Sequence, residues 1–128
     1  MIDPLSLYTV LPVADLDRAR AFYRDKLGFE PTMVKPGMLA YSGPGGYMFQ
    51  LYETANVGTA RNTQMGWSTA DLEATMATLR ARGVVFEDYD LPGLKTENGI
   101  AFVGTERGAW FHDSEGNTIA VTETLPET

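Results

Sequence analysis

The sequence predicts an α+β domain built from two tandem βαβββ modules. Three observations predict it: two segments that match at a fixed spacing, apolar residues at helical spacing within both, and two later segments that match as hairpin strands. The 128 residues are 44% hydrophobic, which fits one globular domain with a conventional core. We therefore expect a single domain over residues 1–128, with modules at about 5–54 and 63–124.

The first match marks the start of a helix in each module. Residues 13–16 read Val-Ala-Asp-Leu, and residues 69–72, 56 positions later, read Thr-Ala-Asp-Leu. Asp15 and Asp71 are placed to cap these helices, since a short carboxylate accepts hydrogen bonds from the free N–H groups of a first turn. The apolar spacing then predicts helices over 15–27 and 71–82, each followed by a glycine suited to a helix end.

The second match identifies the last strand of each module. Residues 46–54 line up with 116–124, 70 positions later, and both follow turn residues, so each is the second strand of a hairpin. The spacing grows from 56 to 70, which leaves about fourteen additional residues between Phe86 and Trp110. Loops of this length often cover a site, so Tyr89, Leu94 and Lys95 are candidate ligand contacts.

The strands follow from short apolar runs bounded by turn residues. In the first module we expect strands near 5–13, 29–35, 38–42 and 47–53. In the second we expect them near 63–69, 84–89, 100–104, 108–112 and 118–124, with one of the last pieces irregular. Residues 55–62 serve as the linker, and 125–128 should be frayed.

Composition argues against several classes of function. Ten Lys and Arg against seventeen Asp and Glu give a net charge of −7 with no basic cluster, so we expect no nucleic-acid partner. We expect no membrane partner, because no apolar run is long enough to span a bilayer. The N-terminus lacks the layout of a secretory signal, and the chain has no cysteine, so we expect a cytoplasmic protein.

Two stretches carry a family resemblance. Asp15, Phe22-Tyr23 and Leu27-Gly28-Phe29 resemble the first-module pattern of a known superfamily, and residues 109–117 resemble its C-terminal pattern W-F-x-D-P-x-G-N, with Ser114 in place of proline. Over nearly its whole length the chain resembles the glyoxalase, bleomycin-resistance and extradiol-dioxygenase superfamily, also called the vicinal oxygen chelate superfamily. The resemblance implies curled mixed sheets around a shared cavity, often in a homodimer.

The resemblance also implies where enzymes of the superfamily hold a divalent metal. The first strand of each module places Tyr8 and Gln64 at ligand positions, and the last strands place Gln50 and Ala120 there. A metal site favours imidazole and carboxylate ligands, whereas these positions offer a phenol, two neutral amides and a methyl group. We therefore expect no metal and no other cofactor.

Strand alternation extends the candidate ligand-binding site. Side chains two apart share a face, so Met48 and Tyr52 accompany Gln50, and Thr118 accompanies Ala120. Trp67, Glu53 and Glu123 have the opposite parity and should face away from the cavity, and His112 is expected at an exposed strand end. The predicted ligand-binding residues are Tyr8, Met48, Gln50, Tyr52, Gln64, Trp110, Thr118 and Ala120.

This mixture of apolar and hydrogen-bonding groups suits a neutral or aromatic organic ligand. The predicted function is metal-free binding of a small molecule, with sequestration of a drug or metabolite as the expected role. One alternative is a lyase, isomerase or dioxygenase acting on a small carbonyl or aromatic substrate, through other metal ligands or through Tyr8 with His112; no catalytic residue is assigned. A third is a structural or regulatory dimer whose cavity is filled.

Overall fold

The computed structural model describes residues 7–124, which form two four-stranded mixed sheets, each packed against a helix. The elements of the first module are β1 (Thr9–Val13), α1 (Leu16–Phe22), β2 (Met33–Lys35), β3 (Met38–Ser42) and β4 (Met48–Glu53). Those of the second are β5 (Met65–Ser68), α2 (Leu72–Ala81), β6 (Asp90–Leu91), β7 (Leu94–Lys95), β8 (Ala101–Val103), β9 (Glu106–His112) and β10 (Thr118–Thr124). The predicted α+β class is confirmed.

The two sheets repeat one topology. The first has the order β1-β4-β3-β2 and the second has the order β5-β10-β9-β8, with the first and last strands of each module parallel. Thr9 lies opposite Phe49 in the first sheet, and Met65 lies opposite Ile119 in the second. Met65 is 56 positions after Thr9, and Ile119 is 70 positions after Phe49. These are the spacings found in the sequence, so the repeat extends to the register of the strands.

Both helices begin at the predicted aspartates. Asp15 accepts a 3.0 Å hydrogen bond from the backbone N–H of Arg18, and Asp71 accepts one of 3.0 Å from that of Ala74. Each carboxylate satisfies one of the N–H groups that a first helical turn leaves unpaired. The first helix continues as a π-helical turn over Tyr23–Leu27, so the helical segment ends where the sequence predicts.

A second carboxylate binds each helix start. Glu53, at the end of β4, accepts a bond of 3.2 Å from the backbone N–H of Leu16, and Glu123 in β10 accepts one of 2.6 Å from that of Leu72. Both glutamates therefore point toward the helices, on the face that strand parity predicts.

The two modules share one hydrophobic core on the helix side of the sheets. Trp67 from β5 stacks on Phe29 of the first module, with 4.8 Å between ring centroids, and meets the edge of Phe49 at 5.6 Å. Large aromatic side chains contribute much of the apolar area that such a core buries. The helix sides of both sheets therefore pack against each other and hold the modules together.

A polar network also joins the modules. The buried carboxylate of Asp113, in the turn after β9, accepts hydrogen bonds from the Tyr23 hydroxyl at 2.7 Å and the Asn117 amide at 2.9 Å. Asn117 in turn donates a bond of 2.9 Å to the carbonyl of Pro12. Burial, together with the neighbouring Asp113 carboxylate, raises the pKa of the Tyr23 hydroxyl well above its usual value.

Glu115, in the same turn, binds the start of the first helix. Its carboxylate accepts bonds from the Arg18 guanidinium at 2.7 and 2.9 Å and from the backbone N–H groups of Ala14 and Asp15 at 2.9 and 3.0 Å. The bond from Arg18 is the largest of the effects that lower the pKa of Glu115 from 4.5 to about 2. The turn of the second module is therefore anchored on the first.

Two predicted strands are shorter than expected, and part of the predicted structure lies outside the described residues. The strand expected near 29–35 is reduced to β2, and the one near 84–89 is reduced to a single bridge between Phe86 and Phe111. Beyond that bridge, Asp88 accepts bonds of 3.0 Å from the Thr96 hydroxyl and the backbone N–H of Gly99, so local side-chain bonds replace strand pairing. Residues 5, 6 and 125–128 are not among those described.

The additional segment of the second module contains a short hairpin, β6–β7, that the sequence did not predict. Over residues 7–124, none of the helices has the length and apolar character needed to cross a bilayer.

Candidate functional site

The face of the first sheet opposite its helix is open. Strand register places Val10, Gln50, Ala40 and Met33 in one row across this face. Val10 is 44% exposed and Met33 48%, whereas Leu11, on the other face, is 1% exposed. An exposed apolar surface of this kind is a candidate binding surface.

The equivalent face of the second sheet is partly covered by its own tryptophan. The ring of Trp110 lies over Gly108, where an added Cβ would come within 3.3 Å of it. The indole N–H of Trp110 donates a bond of 3.0 Å to the Thr63 hydroxyl, and the Tyr89 ring meets Trp110 edge-on at 5.8 Å. On the same face, Thr118 and Ala120 are buried.

Gln64 lies at the start of the second sheet, and its side-chain amide is engaged within the protein. Its N–H donates to the Asn117 carbonyl oxygen at 3.0 Å, and its oxygen accepts from the backbone N–H of Thr118 at 2.8 Å. These bonds fix the side chain beside the turn that carries Asn117. Gln64 thus positions the last strand of the module in addition to lining the groove described next.

Two cavities meet at Tyr8 and Met48. A groove of about 870 Å³ runs between the beginnings of the two modules and is lined by Tyr8, Met48 and Gln64. A depression of about 190 Å³ on the open face is lined by Tyr8, Met48 and Gln50. The structure thus brings these four predicted site residues together. Tyr52, Trp110, Thr118 and Ala120 line neither cavity.

Three aromatic residues of the groove were not predicted from the sequence, Tyr47, Phe49 and Trp67. Trp67 packs in the core, as its parity predicts, yet it also borders the groove because β5 is an edge strand. The relevant signal is the position of Trp67 three residues after Gln64, but alternation alone assigns a side chain to one face and cannot show that a cavity reaches both.

The four positions that the family resemblance implies as metal ligands do not form a suitable ligand set. Ala120 has no donor atom, and the Gln64 amide is bound to Asn117 and Thr118. Over residues 7–124, no three His, Cys, Asp or Glu side chains come together as a cation site would require. His112 is exposed at the end of β9, with its Nδ1 3.0 Å from a Glu87 carboxylate oxygen.

Comparison with known proteins agrees with this architecture. The sequence profile of the Glyoxalase/Bleomycin resistance protein/Dioxygenase superfamily matches residues 6–121. The chain belongs to this superfamily.

Solved structures of superfamily proteins share the fold. TnmS3, an antibiotic binding protein from Streptomyces sp. CB03234, is 25% identical with a TM-score of 0.75, over 97% of this chain and 98% of that one. A glyoxalase/bleomycin resistance protein/dioxygenase from Nocardioides is 21% identical with a TM-score of 0.75, over 100% of this chain and 88% of that one. Lactoylglutathione lyase from Agrobacterium tumefaciens is 20% identical with a TM-score of 0.69, over 94% of both chains. No curated protein matches the chain.

Proposed function

We propose that this protein is a cytoplasmic homodimer that binds a small uncharged organic molecule, aromatic or drug-like, without a metal. One observation carries the proposal: no charged side chain of the described residues lines the groove or the depression, although the chain carries a net charge of −7. A charged ligand would lose its hydration there without gaining an ionic partner. An uncharged ring would gain apolar contact with Met48 and hydrogen bonds from Tyr8 and Gln50.

A second copy of the chain completes this site in our proposal. Binding sites usually bury most of the surface of a small ligand, which an open sheet face does not achieve alone. Val10, Met48 and Tyr52 share the open face and are each more than a third exposed. Covering these side chains with a partner would remove apolar surface from water and enclose the ligand.

The relationship to TnmS3 supports this proposal over an enzymatic function. TnmS3 is an antibiotic binding protein, and its structure covers nearly all of this chain at 25% identity. The similarity to lactoylglutathione lyase, at 20% identity, supports the fold alone.

The test is a screen of aromatic antibiotics and uncharged aromatic metabolites by tryptophan fluorescence. The chain has two tryptophans, so Trp67→Phe and Trp110→Phe each leave one reporter, and Trp67 borders the groove. We expect a ligand that changes Trp67 emission and saturates at one molecule per site.

A matched pair of charge substitutions locates the ligand. Met48→Asp places a carboxylate in both cavities, whereas Val34→Asp places one on the other face of the same sheet, where Val34 is 57% exposed. Met48→Asp should weaken binding by about tenfold or more, because burying a charge is costly, and Val34→Asp should leave binding unchanged. Equal binding by both variants would contradict the proposal. Chemical conversion of the ligand would favour a lyase, isomerase or dioxygenase instead.

A further inference from the structure

A second groove lies on the helix side of the second sheet, away from the open face. It has a volume of about 770 Å³ and runs between α2, the segment that contains the β6–β7 hairpin, and the edge strand β8. Its apolar lining comes from Met76, which is buried, Ile100, which is half-buried, and Phe102, which is 67% exposed. The additional residues of the second module form one wall, so the groove has no counterpart in the repeat.

Cations slightly outnumber carboxylates in the lining of this groove, although the chain as a whole is acidic. Three cations line it, Arg80, Lys95 and Arg107, against two carboxylates, Glu73 and Glu97. Arg107 is neutralised, because its guanidinium lies 3.1 Å from Glu73. It also lies 3.1 Å from the carboxylate of Glu123, behind the groove.

Two cations in the groove remain available. Arg80 donates a bond of 3.0 Å to the carbonyl of Asn98 and lies over the Phe86 ring, which uses part of the guanidinium and leaves its charge uncompensated. Among residues 7–124, neither Arg80 nor Lys95 forms an ion pair, although Asp90 lies opposite Lys95 in the β6–β7 hairpin. An anion in the groove would therefore gain charge interactions that the protein does not already satisfy.

The rim that carries Lys95 and Glu97 is held in place. Thr96, between them, is 8% exposed, and its backbone N–H and hydroxyl bind the Tyr89 carbonyl and the Asp88 carboxylate. The turn over residues 97–100 closes through two backbone bonds between Glu97 and Ile100, of 2.9 and 3.0 Å. A fixed rim places its charges without the entropic cost of ordering a loop on binding.

We propose that this groove is a second binding site, which takes a small aromatic carboxylate. The ring would lie against Phe102 and Ile100, and the carboxylate would lie between Lys95 and Arg80. The exposed phenyl ring favours an aromatic ligand, and the two cations without an ion pair favour a carboxylate on it. The site is independent of the open face of the first sheet, whose cavities carry no charge.

The probe is naphthoate, compared with its uncharged amide, naphthamide, in amide NMR titrations of the isotope-labelled protein. We expect naphthoate to shift the amide signals of residues 76–80 and 95–102, and naphthamide to bind more weakly there. Saturable shifts confined to the open face of the first sheet, or equal binding of the two compounds, would overturn the proposal. The two proposals fail separately: absence of shifts at residues 76–80 and 95–102 overturns the second site alone, whereas naphthoate binding at the open face would also count against the proposed preference for uncharged ligands.

Charge variants test the sign of the effect. Lys95→Glu should weaken naphthoate binding by about threefold or more, as expected for reversing a charge near a partly solvated anion, and Glu97→Gln should tighten it. Phe102→Ser should also weaken it through lost ring contact. Lys35→Glu, on the edge strand β2 of the other sheet, is the matched control and should change nothing. The affected side chains are exposed, so the variants should fold. An unchanged affinity in Lys95→Glu would overturn the proposal.

Discussion

Tyr23 donates a 2.7 Å hydrogen bond to Asp113, 90 positions further along the chain, and this bond ties the helical segment of the first module to a turn of the second. Both side chains are buried, so neither polar group can turn to water instead. The Tyr23 ring also packs against Phe49 at 5.7 Å, which places the bond at the edge of the shared core. The relative placement of the two modules, and with it the groove between them, depends on contacts of this kind.

Two neighbouring tyrosines allow this bond to be measured with an internal control. Tyr23 and Tyr41 are both buried, with ring centroids 5.8 Å apart, but the Tyr41 hydroxyl has no hydrogen-bond partner among the described residues. Tyr23→Phe should lower the free energy of unfolding by about 1–3 kcal/mol, because it leaves a buried carboxylate short of one donor. Tyr41→Phe should be neutral or stabilising. Urea unfolding at neutral pH measures both, and equal losses would show that the hydroxyl of Tyr23 contributes nothing specific.

Glu115 should make the protein sensitive to acid. Its pKa is lowered from 4.5 to about 2, so its contribution to stability is fully present above 4.5 and is lost as the pH falls toward 2. Arg18 is half exposed, which moderates the effect to about 2 kcal/mol.

Glu115→Gln removes this titration. The variant should be less stable than the wild type at neutral pH, and the difference should shrink as the pH falls from 4.5 toward 2. Chemical unfolding at a series of pH values gives both curves. Asp25→Asn, in an exposed ion pair with Arg24, is the control and should leave the pH dependence of stability nearly unchanged. A constant difference between wild type and Glu115→Gln would contradict the account.

The helix caps should be equivalent in the two modules. Asp15→Ala and Asp71→Ala should each lower the free energy of unfolding by about 1 kcal/mol, since each removes the acceptor of a first-turn N–H group. Asp15→Asn and Asp71→Asn keep an acceptor oxygen and should recover most of the loss. Thermal unfolding of the four variants measures these effects. A cost in one module alone would show that the repeat does not extend to the energetics of the caps.

The proposed dimer should respond to a charge on one face of the first sheet and not on the other. Val10→Asp alters the open face, whereas Val34→Asp alters the helix side, and both wild-type side chains are exposed. Val10→Asp should dissociate the dimer, because the carboxylate would have to be buried against the partner. Val34→Asp should remain dimeric. Analytical ultracentrifugation distinguishes the two, and a wild-type protein that is monomeric at all accessible concentrations would contradict the proposed dimer.

The repeat in the sequence predicted most of the elements of the fold, because the same order of strands and helix occurs twice. The two spacings, of 56 and 70 positions, relate the strand register of one sheet to that of the other: with Thr9 opposite Phe49, they place Met65 opposite Ile119. The structure of the segment near 84–89 was harder to predict, because its apolar run favours a strand. In the structure, Asp88 instead binds Thr96 and Gly99, and no neighbouring strand of the described residues pairs with it there.

The candidate site was less predictable, because the alternation of side chains along a strand shows which face of the sheet a residue lies on but not which groups it binds. Gln64 lines the groove, yet its amide is bound to Asn117 and Thr118 through tertiary contacts that no local pattern encodes. Similarly, nothing near Glu115 in the sequence indicates that it binds Arg18 in the other module. The predicted ligand-binding roles of Tyr52, Trp110, Thr118 and Ala120 stay predictions.

The metal content of protein purified without chelators tests the central claim most directly. The account predicts much less than one Ni, Zn, Fe or Mn ion per chain by elemental analysis, because Tyr8, Gln50, Gln64 and Ala120 offer no imidazole or carboxylate to a dication. It also predicts that dialysis against a chelator leaves organic-ligand binding unchanged. One ion per chain that is lost in both Gln50→Ala and Gln64→Ala would place a metal among these strands and contradict the claim.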